Sequence, residues 1–298
     1  MHLTVGIFGD HELAKKMGKK GTTNDITIYN HGSSEGVFTY VCPNSEKVQS
    51  LLYVLNMIDV PVLVVKNLTK EIGETIIGID EMKFEKGFII TELKENVKDF
   101  IKNTSLEKFE MIEESELRQK LLETKFEKKY DSVMIPIDNY FNVKGIGTVV
   151  LGTVKGENVS LHDKLMMEPL GREVTVKGIQ SQDKDYKETE MGMRVGLNLK
   201  GVSADEIKRG YVLCNKIEKT NELKIKFEKN KFFRQEIKEG MDLFVSIGVQ
   251  VISFNVIKVG EILELKSDQT IACTNNQRCI IASQNNILPR IIGHGTIC

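Results

Sequence analysis

The fold of this chain can be inferred from the run Tyr140-Phe141-Asn142-Val143-Lys144-Gly145-Ile146-Gly147-Thr148-Val149-Val150-Leu151-Gly152. Its β-branched residues at 148–150 favour a strand. Gly145 and Gly147 precede them, and glycines at such a point indicate a tight turn or the close approach of a backbone or ligand. Taken alone, the pattern predicts a hairpin in a β-barrel. The neighbouring segments must decide which kind of barrel it is.

The composition indicates a globular chain of several domains. Its 298 residues are enough for two or three domains, and 41% of them are hydrophobic. The formal net charge of −1 excludes a uniformly basic nucleic-acid coat, so any RNA contact must use a local patch. No apolar run reaches the roughly 18 residues of a membrane span, and no signal-peptide pattern opens the chain. We expect a monomer with no membrane contact.

The cysteines favour a reducing compartment. Their number, five, is odd, and none lies in a CxxC pair, so we expect neither a zinc site nor a disulfide framework. Cys214 follows two apolar residues, as a small buried hydrophobe does. We therefore predict a cytoplasmic protein.

The first 125 residues alternate between strand and helix patterns. Apolar, strand-like runs occur at 3–9, 36–43, 60–65 and 87–91, and helical spacing occurs at 47–58, 74–82 and 115–122. This alternation predicts an α/β domain with a largely parallel sheet.

The strand–loop–helix at the start has the context of a phosphate-binding P-loop, G-x-x-x-x-G-K-[ST], but lacks its chemistry. Gly6 matches the first position. His11, Glu12 and Leu13 stand at the second glycine, the lysine and the hydroxyl residue. The Glu12 carboxylate would repel a phosphate. We therefore predict no bound GTP, Mg²⁺ or other metal, and no catalytic residue.

Two lysines follow this region, Lys19 and Lys20. They could contact a phosphate, although their charge alone favours a solvated loop leading into a strand.

After a charged linker at 124–131, the pattern changes to short strands separated by turn residues, without helical periodicity. A small antiparallel barrel satisfies this pattern, and a third set of strands begins near residue 220. The predicted domains are 1–125, 131–217 and 218–298.

Three further segments extend the opening run. They are Glu168-Pro169-Leu170-Gly171-Arg172, Gly192-Met193-Arg194-Val195-Gly196 and Glu206-Ile207-Lys208-Arg209-Gly210. Together and in this order, they resemble the second, β-barrel domain of translational GTPases of the EF-Tu family. The resemblance implies a truncated P-loop GTPase-like α/β domain followed by two antiparallel β-barrels, similar to domains II and III of EF-Tu.

The resemblance also locates the other nucleotide-binding groups, and these are replaced. Val41 stands at the metal-linked aspartate, Asn44 at the glycine that senses the γ-phosphate, and Ser45 at the histidine that positions water. Lys94 replaces the aspartate that reads guanine. These changes predict a pseudo-GTPase. The alternatives are a GTP-binding elongation factor with unusual motifs, and a protein–protein interaction module of the translation apparatus.

In the EF-Tu family the second domain binds the aminoacyl end of tRNA. By this resemblance the pocket falls on Asn139, Phe141, Val149 and Leu151, with Arg194 on the opposite wall. The arginine makes the chain closer to SelB, the selenocysteine-specific factor, and an arginine can bind carboxylate or phosphate with two hydrogen bonds. The alternative is that the apolar three fill the barrel core and Arg194 is a surface residue.

The third domain offers possible phosphate contacts at Lys224 and Lys226, although interleaved glutamates also fit a solvated mixed face. The segment at 18–30 resembles one found in SelB-like paralogues of methanogenic archaea, a group that includes a proposed pyrrolysine-related factor. The resemblance implies tRNA or the ribosome as partner, and possible contacts with other translation proteins.

Overall fold

A computed structural model describes residues 1–124 and 132–298. Most of the predicted linker therefore lies outside the described residues. The first unit contains the strands β1 His2–Phe8, β2 Lys19–Thr23, β3 Ile26–Gly32, β4 Val37–Pro43, β5 Val60–Val65, β6 Phe88–Thr91 and β7 Glu110–Met111. Its α-helices are α1 His11–Met17, α2 Val48–Met57, α3 Lys70–Met82, α4 Lys94–Phe100 and α5 Leu117–Leu122.

These strands form one sheet in the order β2-β3-β4-β1-β5-β6-β7. Strands β4, β1, β5, β6 and β7 run parallel to one another, whereas β3 pairs antiparallel with both β4 and β2. The central strands are buried on both faces, as the uninterrupted apolar sequence of β5 requires. The predicted α/β domain with a largely parallel sheet is confirmed.

Each face of the sheet carries its own core. On one face, α2 and α3 pack their apolar sides, including Leu52, Leu55 and Ile79, against the strands. On the other face, Leu13 of α1 and Leu117 of α5 cover Leu3, Val5 and Ile7. These segments form helices against the sheet because their apolar residues recur at the spacing that places them on one side of a helix.

The second unit is a closed antiparallel barrel. Its strands are β8 Met134–Val143, β9 Gly147–Thr153, β10 Lys164–Glu168, β11 Arg172–Ser181, β12 Lys184–Tyr186, β13 Arg194–Lys200 and β14 Val212–Cys214. Their order is β10-β14-β8-β9-β13-β11-β12, and pairing of β10 with β11 closes the ring. The opening run thus forms the β8–β9 hairpin, as predicted. Gly145 and Gly147 both have positive φ in its turn.

The third unit is also a closed barrel, with strand order β15-β18-β17-β16-β19-β20. Its strands are β15 Glu218–Lys229, β16 Asp242–Ile247, β17 Gln250–Lys258, β18 Ile262–Cys273, β19 Arg278–Ser283 and β20 Ile291–Ile297. The predicted succession of one α/β domain and two antiparallel barrels is confirmed. The domain boundaries at 125, 131 and 217–218 stay predictions.

The first unit and the third unit share a core. Val249, Ile280, Ala282 and Ile291 of the third unit belong to the same buried cluster as helices α2 and α3. Among the described residues, no helix has the length and apolar character needed to span a bilayer. The five cysteines are free, and only Cys298 is exposed.

Candidate functional site: an inter-domain cleft and a closed strand–helix turn

The turn between β1 and α1 is occupied by the carboxylate of Asp10. Gly9, with φ of +84°, and Asp10 make the whole connection. The Asp10 carboxylate accepts a hydrogen bond from the Glu12 amide at 2.9 Å and pairs with Lys66 Nζ at 2.7 Å. Asp10 therefore caps the helix N-terminus, the position at which such folds bind phosphate.

The charge of Asp10 is stabilised in this position. Partial burial acts to raise the pKa of the Asp10 carboxyl, but the hydrogen bonds from Lys66 and from the Glu12 amide outweigh it and hold the pKa below its usual value. The carboxyl is therefore ionised at neutral pH, and the helix terminus faces a fixed negative charge.

The four predicted P-loop positions do not form a phosphate cradle. Gly6 lies inside β1, paired with Val41 and Pro61. His11 and Glu12 are exposed on α1. Leu13 is 1% exposed and packs in the core.

The residues at the other positions compared with nucleotide-binding groups are buried or make contacts within the chain. Val41 is fully buried. The Asn44 side chain donates to the Asn24 carbonyl at 2.7 Å. Lys94 pairs with Glu113 at 2.9 Å. No group of three or more His, Cys, Asp or Glu that could hold a metal occurs within residues 1–124 and 132–298.

A cleft of about 880 Å³ lies between the β2–β3 hairpin and the second unit. Lys19 and Lys20 form its wall on the first unit, and the second unit supplies strands β8, β9, β11 and β13. Four of the five residues predicted for the aminoacyl pocket line this cleft: Phe141, Val149, Leu151 and Arg194. Sequence reasoning assigned the lysines and the pocket separately, and the fold brings them together.

The apolar residues of the cleft do not fill the barrel core. In β9 the core residue is Val150, which is 1% exposed, while Val149 and Leu151 are half-buried on the opposite side of the strand. Phe141 is 40% exposed. Because side chains alternate along a strand, the burial of Val150 turns both of its neighbours toward the cleft. The core-filling alternative is therefore wrong for these three residues.

The fifth predicted residue, Asn139, is not among those that line the cleft. It opposes Leu151 in the β8–β9 ladder, and its side-chain oxygen accepts a hydrogen bond from the Tyr140 amide at 3.0 Å. Lys224 and Lys226 are also absent from the cleft lining. They occupy exposed, alternate positions on β15 in the third unit.

Arg194 is not a surface residue and is paired within the second unit. Its side chain is 10% exposed, and Nη2 donates to Asp138 Oδ1 at 2.7 Å. It lies on β13, next to β9 in the same sheet, so it adjoins Leu151 and does not face it from an opposite wall. The contact with Asp138 engages one nitrogen of the guanidinium, and binding of a carboxylate or phosphate by Arg194 stays a prediction.

Asp138 is the residue that sequence reasoning missed. It is 2% exposed and lies at an irregularity in the β8–β9 pairing. Burial raises the pKa of its carboxyl, while Arg194 and Arg209 oppose the shift. An acidic residue directly after the apolar segment Met134-Ile135-Pro136-Ile137 was the available signal, since a buried carboxylate needs a cationic partner.

Comparison with known proteins identifies the family. The uncharacterized protein MJ0325 of Methanocaldococcus jannaschii is 35% identical over 307 aligned residues, and the match covers 99% of both chains. The selenocysteine-specific elongation factor of the same organism is 27% identical over 260 residues, covering 84% of this chain. The chain belongs to the EF-Tu family as a SelB paralogue. No family model matches it.

This SelB paralogue spans 52% of the length of that selenocysteine-specific factor. Its fold is shared with the crystal structure of bacterial selenocysteine-specific elongation factor EF-Sec, with a TM-score of 0.84, 19% identity and coverage of 99% of this chain and 58% of the other. SelB from Methanococcus maripaludis in complex with the GTP analogue GppNHp gives a TM-score of 0.80 at 19% identity, covering 99% and 78%. At these identities the likeness concerns the fold alone.

Proposed function

We propose that this SelB paralogue is a cytoplasmic translation factor that binds tRNA or ribosomal RNA and does not hydrolyse GTP. The observation that carries the proposal is a contrast between two sites. The strand–helix turn is closed by Asp10, whereas the cleft between the first two units is open and lined by lysines and an exposed aromatic ring.

The closed turn supports the loss of nucleotide binding. A phosphate binds a helix N-terminus through unpaired amides and the positive end of the helix dipole. Here the Asp10 carboxylate accepts from the Glu12 amide, and the Glu12 carboxylate projects from the first helical turn. Two carboxylates beside a polyphosphate would repel it, because like charges at short range are costly.

The open cleft supports RNA binding. Lys19, Lys20 and Lys177 line it and can contact phosphates, and the exposed Phe141 ring can stack on a base or pack on an acyl group. A cleft of about 880 Å³ has the size typical of sites that enclose a small ligand or the end of a chain.

RNA that copurifies from the native cell, crosslinked and sequenced, tests the proposal. Enrichment of tRNA or ribosomal RNA is expected, and the absence of both would contradict it.

Phe141→Ala should reduce RNA binding. Phe232→Ala is a matched control, because Phe232 is 45% exposed against 40% for Phe141 and does not line the cleft.

Calorimetric titration with GTP and Mg²⁺ tests the loss of nucleotide binding separately. No heat of binding is expected, and a dissociation constant in the micromolar range or tighter would falsify the pseudo-GTPase assignment. GTP turnover measured with and without ribosomes tests the alternative, an elongation-factor GTPase with unusual motifs.

A second candidate function is protein binding, favoured by one apolar groove. Three large exposed side chains converge between α3, α4 and the third unit: Phe100 at 45%, Phe232 at 45% and Ile287 at 62% exposure. The groove, of about 1300 Å³, is also lined by Lys70, Lys102, Lys231 and Arg234. Its acidic lining residues are Asp99 and Glu74, and Glu74 is already paired with Arg290.

The excess of cations around an apolar groove fits an acidic peptide segment of a translation protein with leucine or phenylalanine anchors. Fluorescence polarisation with a labelled Glu-rich peptide carrying such anchors, and with a Lys-rich version of it, tests this function. Phe232→Ala should weaken binding of the Glu-rich peptide while Phe141→Ala leaves it intact. Equal binding of both peptides would contradict the proposed charge recognition.

A further inference from the structure

Arg209 and Gly210 belong to a segment that carries the family resemblance, yet neither is among the residues that line the cleft. The Arg209 side chain is 18% exposed and extends from the second unit to the first. There Nη1 donates to Asp25 Oδ2 at 2.9 Å, and the guanidinium carbon lies 5.1 Å from the centre of the Tyr53 ring. A guanidinium over an aromatic face is attracted to it. One arginine thus contacts both the β2–β3 turn and helix α2.

The same arginine is held in place by strand β8 of its own unit. Its Nε donates to the Asp138 carbonyl oxygen at 3.0 Å. The next residue, Gly210, donates its amide to the Ile137 carbonyl at 2.9 Å. Because the donors of a planar guanidinium point in fixed directions, the bond from Nε orients Nη1 toward Asp25.

Gly210 brings the third unit to the same point. Its φ is +92°, and a Cβ there would lie 2.7 Å from the Val249 carbonyl oxygen and 2.9 Å from the Gln250 Cα. Glycine permits both this backbone conformation and this close approach. Two consecutive residues, Arg209 and Gly210, therefore meet all three units, and the third unit fixes the backbone from which the arginine extends.

Asp25 lies in the turn of the hairpin that forms the first-unit wall of the cleft. From its own unit, this turn is held by Asn44, whose amide donates to the Asp25 carbonyl at 2.8 Å and whose side chain donates to the Asn24 carbonyl at 2.7 Å. Strand β2, which carries Lys19 and Lys20, is the edge strand of its sheet. The orientation of these lysines therefore depends on how the hairpin is held.

We propose that Arg209 is a positioning residue, which holds the hairpin turn against the second unit and so sets the width of the cleft. It acts on RNA through the lysines of the two walls, Lys19 and Lys20 on one side and Lys177 on the other. A phosphate chain can meet both walls together only at a suitable separation, and fixing that separation before binding lowers the entropy cost of association. The inference rests on the proposed RNA-binding function for this consequence.

Pulsed electron paramagnetic resonance measures the width directly. Spin labels at Thr23→Cys on β2 and Lys184→Cys on β12 report the separation of the two walls, and both positions are exposed. Cys298→Ser prevents labelling elsewhere, because the other four cysteines are buried. The RNA-free protein should give one narrow distance distribution. Arg209→Ala should broaden it, because the turn loses its hydrogen bond to the second unit.

Arg172→Ala is the matched control, because Arg172 pairs with Glu206 inside the second unit at 2.5 Å. It removes the same charge from the same unit, and the distance distribution should stay narrow. Asp25→Ala removes the other partner of the contact and should broaden the distribution as Arg209→Ala does. The Asp25 side chain is 46% exposed, so this variant should fold even if Arg209→Ala does not.

Fluorescence anisotropy with unfractionated tRNA and, separately, ribosomal RNA measures the consequence for binding. Apparent affinity falls in proportion to the population of the binding-competent arrangement. For a charged hydrogen bond at a half-exposed turn, Arg209→Ala and Asp25→Ala should each weaken binding about fivefold, and Arg172→Ala less than about twofold. Saturating RNA should narrow the broadened distribution again, which a direct contact between Arg209 and RNA would not explain.

An unchanged distance distribution in Arg209→Ala, or equal broadening in Arg172→Ala, would overturn the inference. Broadening without a loss of affinity for an RNA that the wild-type protein binds would overturn it as well, because the contact would then not serve the site. If the wild-type protein binds neither RNA, the proposed function fails, and the distance distributions still support or overturn the role of Arg209 in holding the hairpin.

Discussion

Replacing Arg290 by alanine should break a buried ion pair between the first and third units. Arg290 Nε lies 3.1 and 3.2 Å from the two carboxylate oxygens of Glu74, and Nη2 also donates to Glu74 Oε2. The Glu74 side chain is 3% exposed and that of Arg290 is 13% exposed. The pair therefore joins helix α3 to the segment leading into β20 in an almost dry setting.

The magnitude follows from the burial of Glu74. Arg290→Ala removes the counter-ion and leaves an almost fully buried carboxylate, which costs about 3–5 kcal/mol of unfolding free energy. The Arg290 amide still donates to Glu74 at 2.6 Å, so we expect the lower end of this range. Replacing both partners, as in Glu74→Leu with Arg290→Met, leaves no unpaired charge and should recover most of the loss.

Urea unfolding followed by circular dichroism measures these differences. Lys98→Ala is the control, because the Lys98–Glu95 pair makes a contact of 2.8 Å between side chains that are 58% and 84% exposed. Its loss should stay below about 1 kcal/mol. If Arg290→Ala lowers the unfolding free energy no more than Lys98→Ala does, the Arg290–Glu74 pair does not stabilise the contact between the first and third units. The predicted magnitude is then refuted.

Three further predictions concern single residues. Asp10→Ala removes the cap of α1 and should lower the unfolding free energy by about 1 kcal/mol, whereas Asp10→Asn should lose less. Leu13→Ala should cost about 2–5 kcal/mol by urea unfolding, because Leu13 is 1% exposed, and an exposed nucleotide-site residue would cost far less. Hydrogen bonds from the Ser203 amide and hydroxyl, and from Arg172, lower the pKa of Glu206 to about 2. Its stabilising effect is therefore complete above the unfolded-state pKa near 4.3 and is lost as the pH falls toward 2, so the stability difference between wild type and Glu206→Gln should shrink over that window.

The local elements of the fold could be predicted from sequence. Periodicity identified α2 and the buried strand β5, and the glycine pair identified the β8–β9 turn. These features depend on side chains a few residues apart, so the sequence contains all the necessary information. The replaced nucleotide-binding groups were equally visible, because the chemistry of phosphate binding depends on residue type at fixed spacing.

The arrangement of the cleft could not be predicted in the same way. Val149 and Leu151 on β9 are compatible with either face of a barrel strand. Only the burial of Val150 shows that these two residues face the cleft. Asp138 was overlooked since its partner Arg194 lies 56 positions along the chain.

The sequence by itself determined the kinds of elements, the family of the second domain and the replacement of the residues at the P-loop positions. Only the tertiary structure decided that Asp10 closes the strand–helix turn with Lys66, that Lys19 and Lys20 share a cleft with Phe141, and that Arg194 contacts Asp138. The physical reason is the separation along the chain over which each kind of interaction acts. Propensity and periodicity act between neighbours, whereas burial and ion pairing depend on which distant segments the packed core brings together.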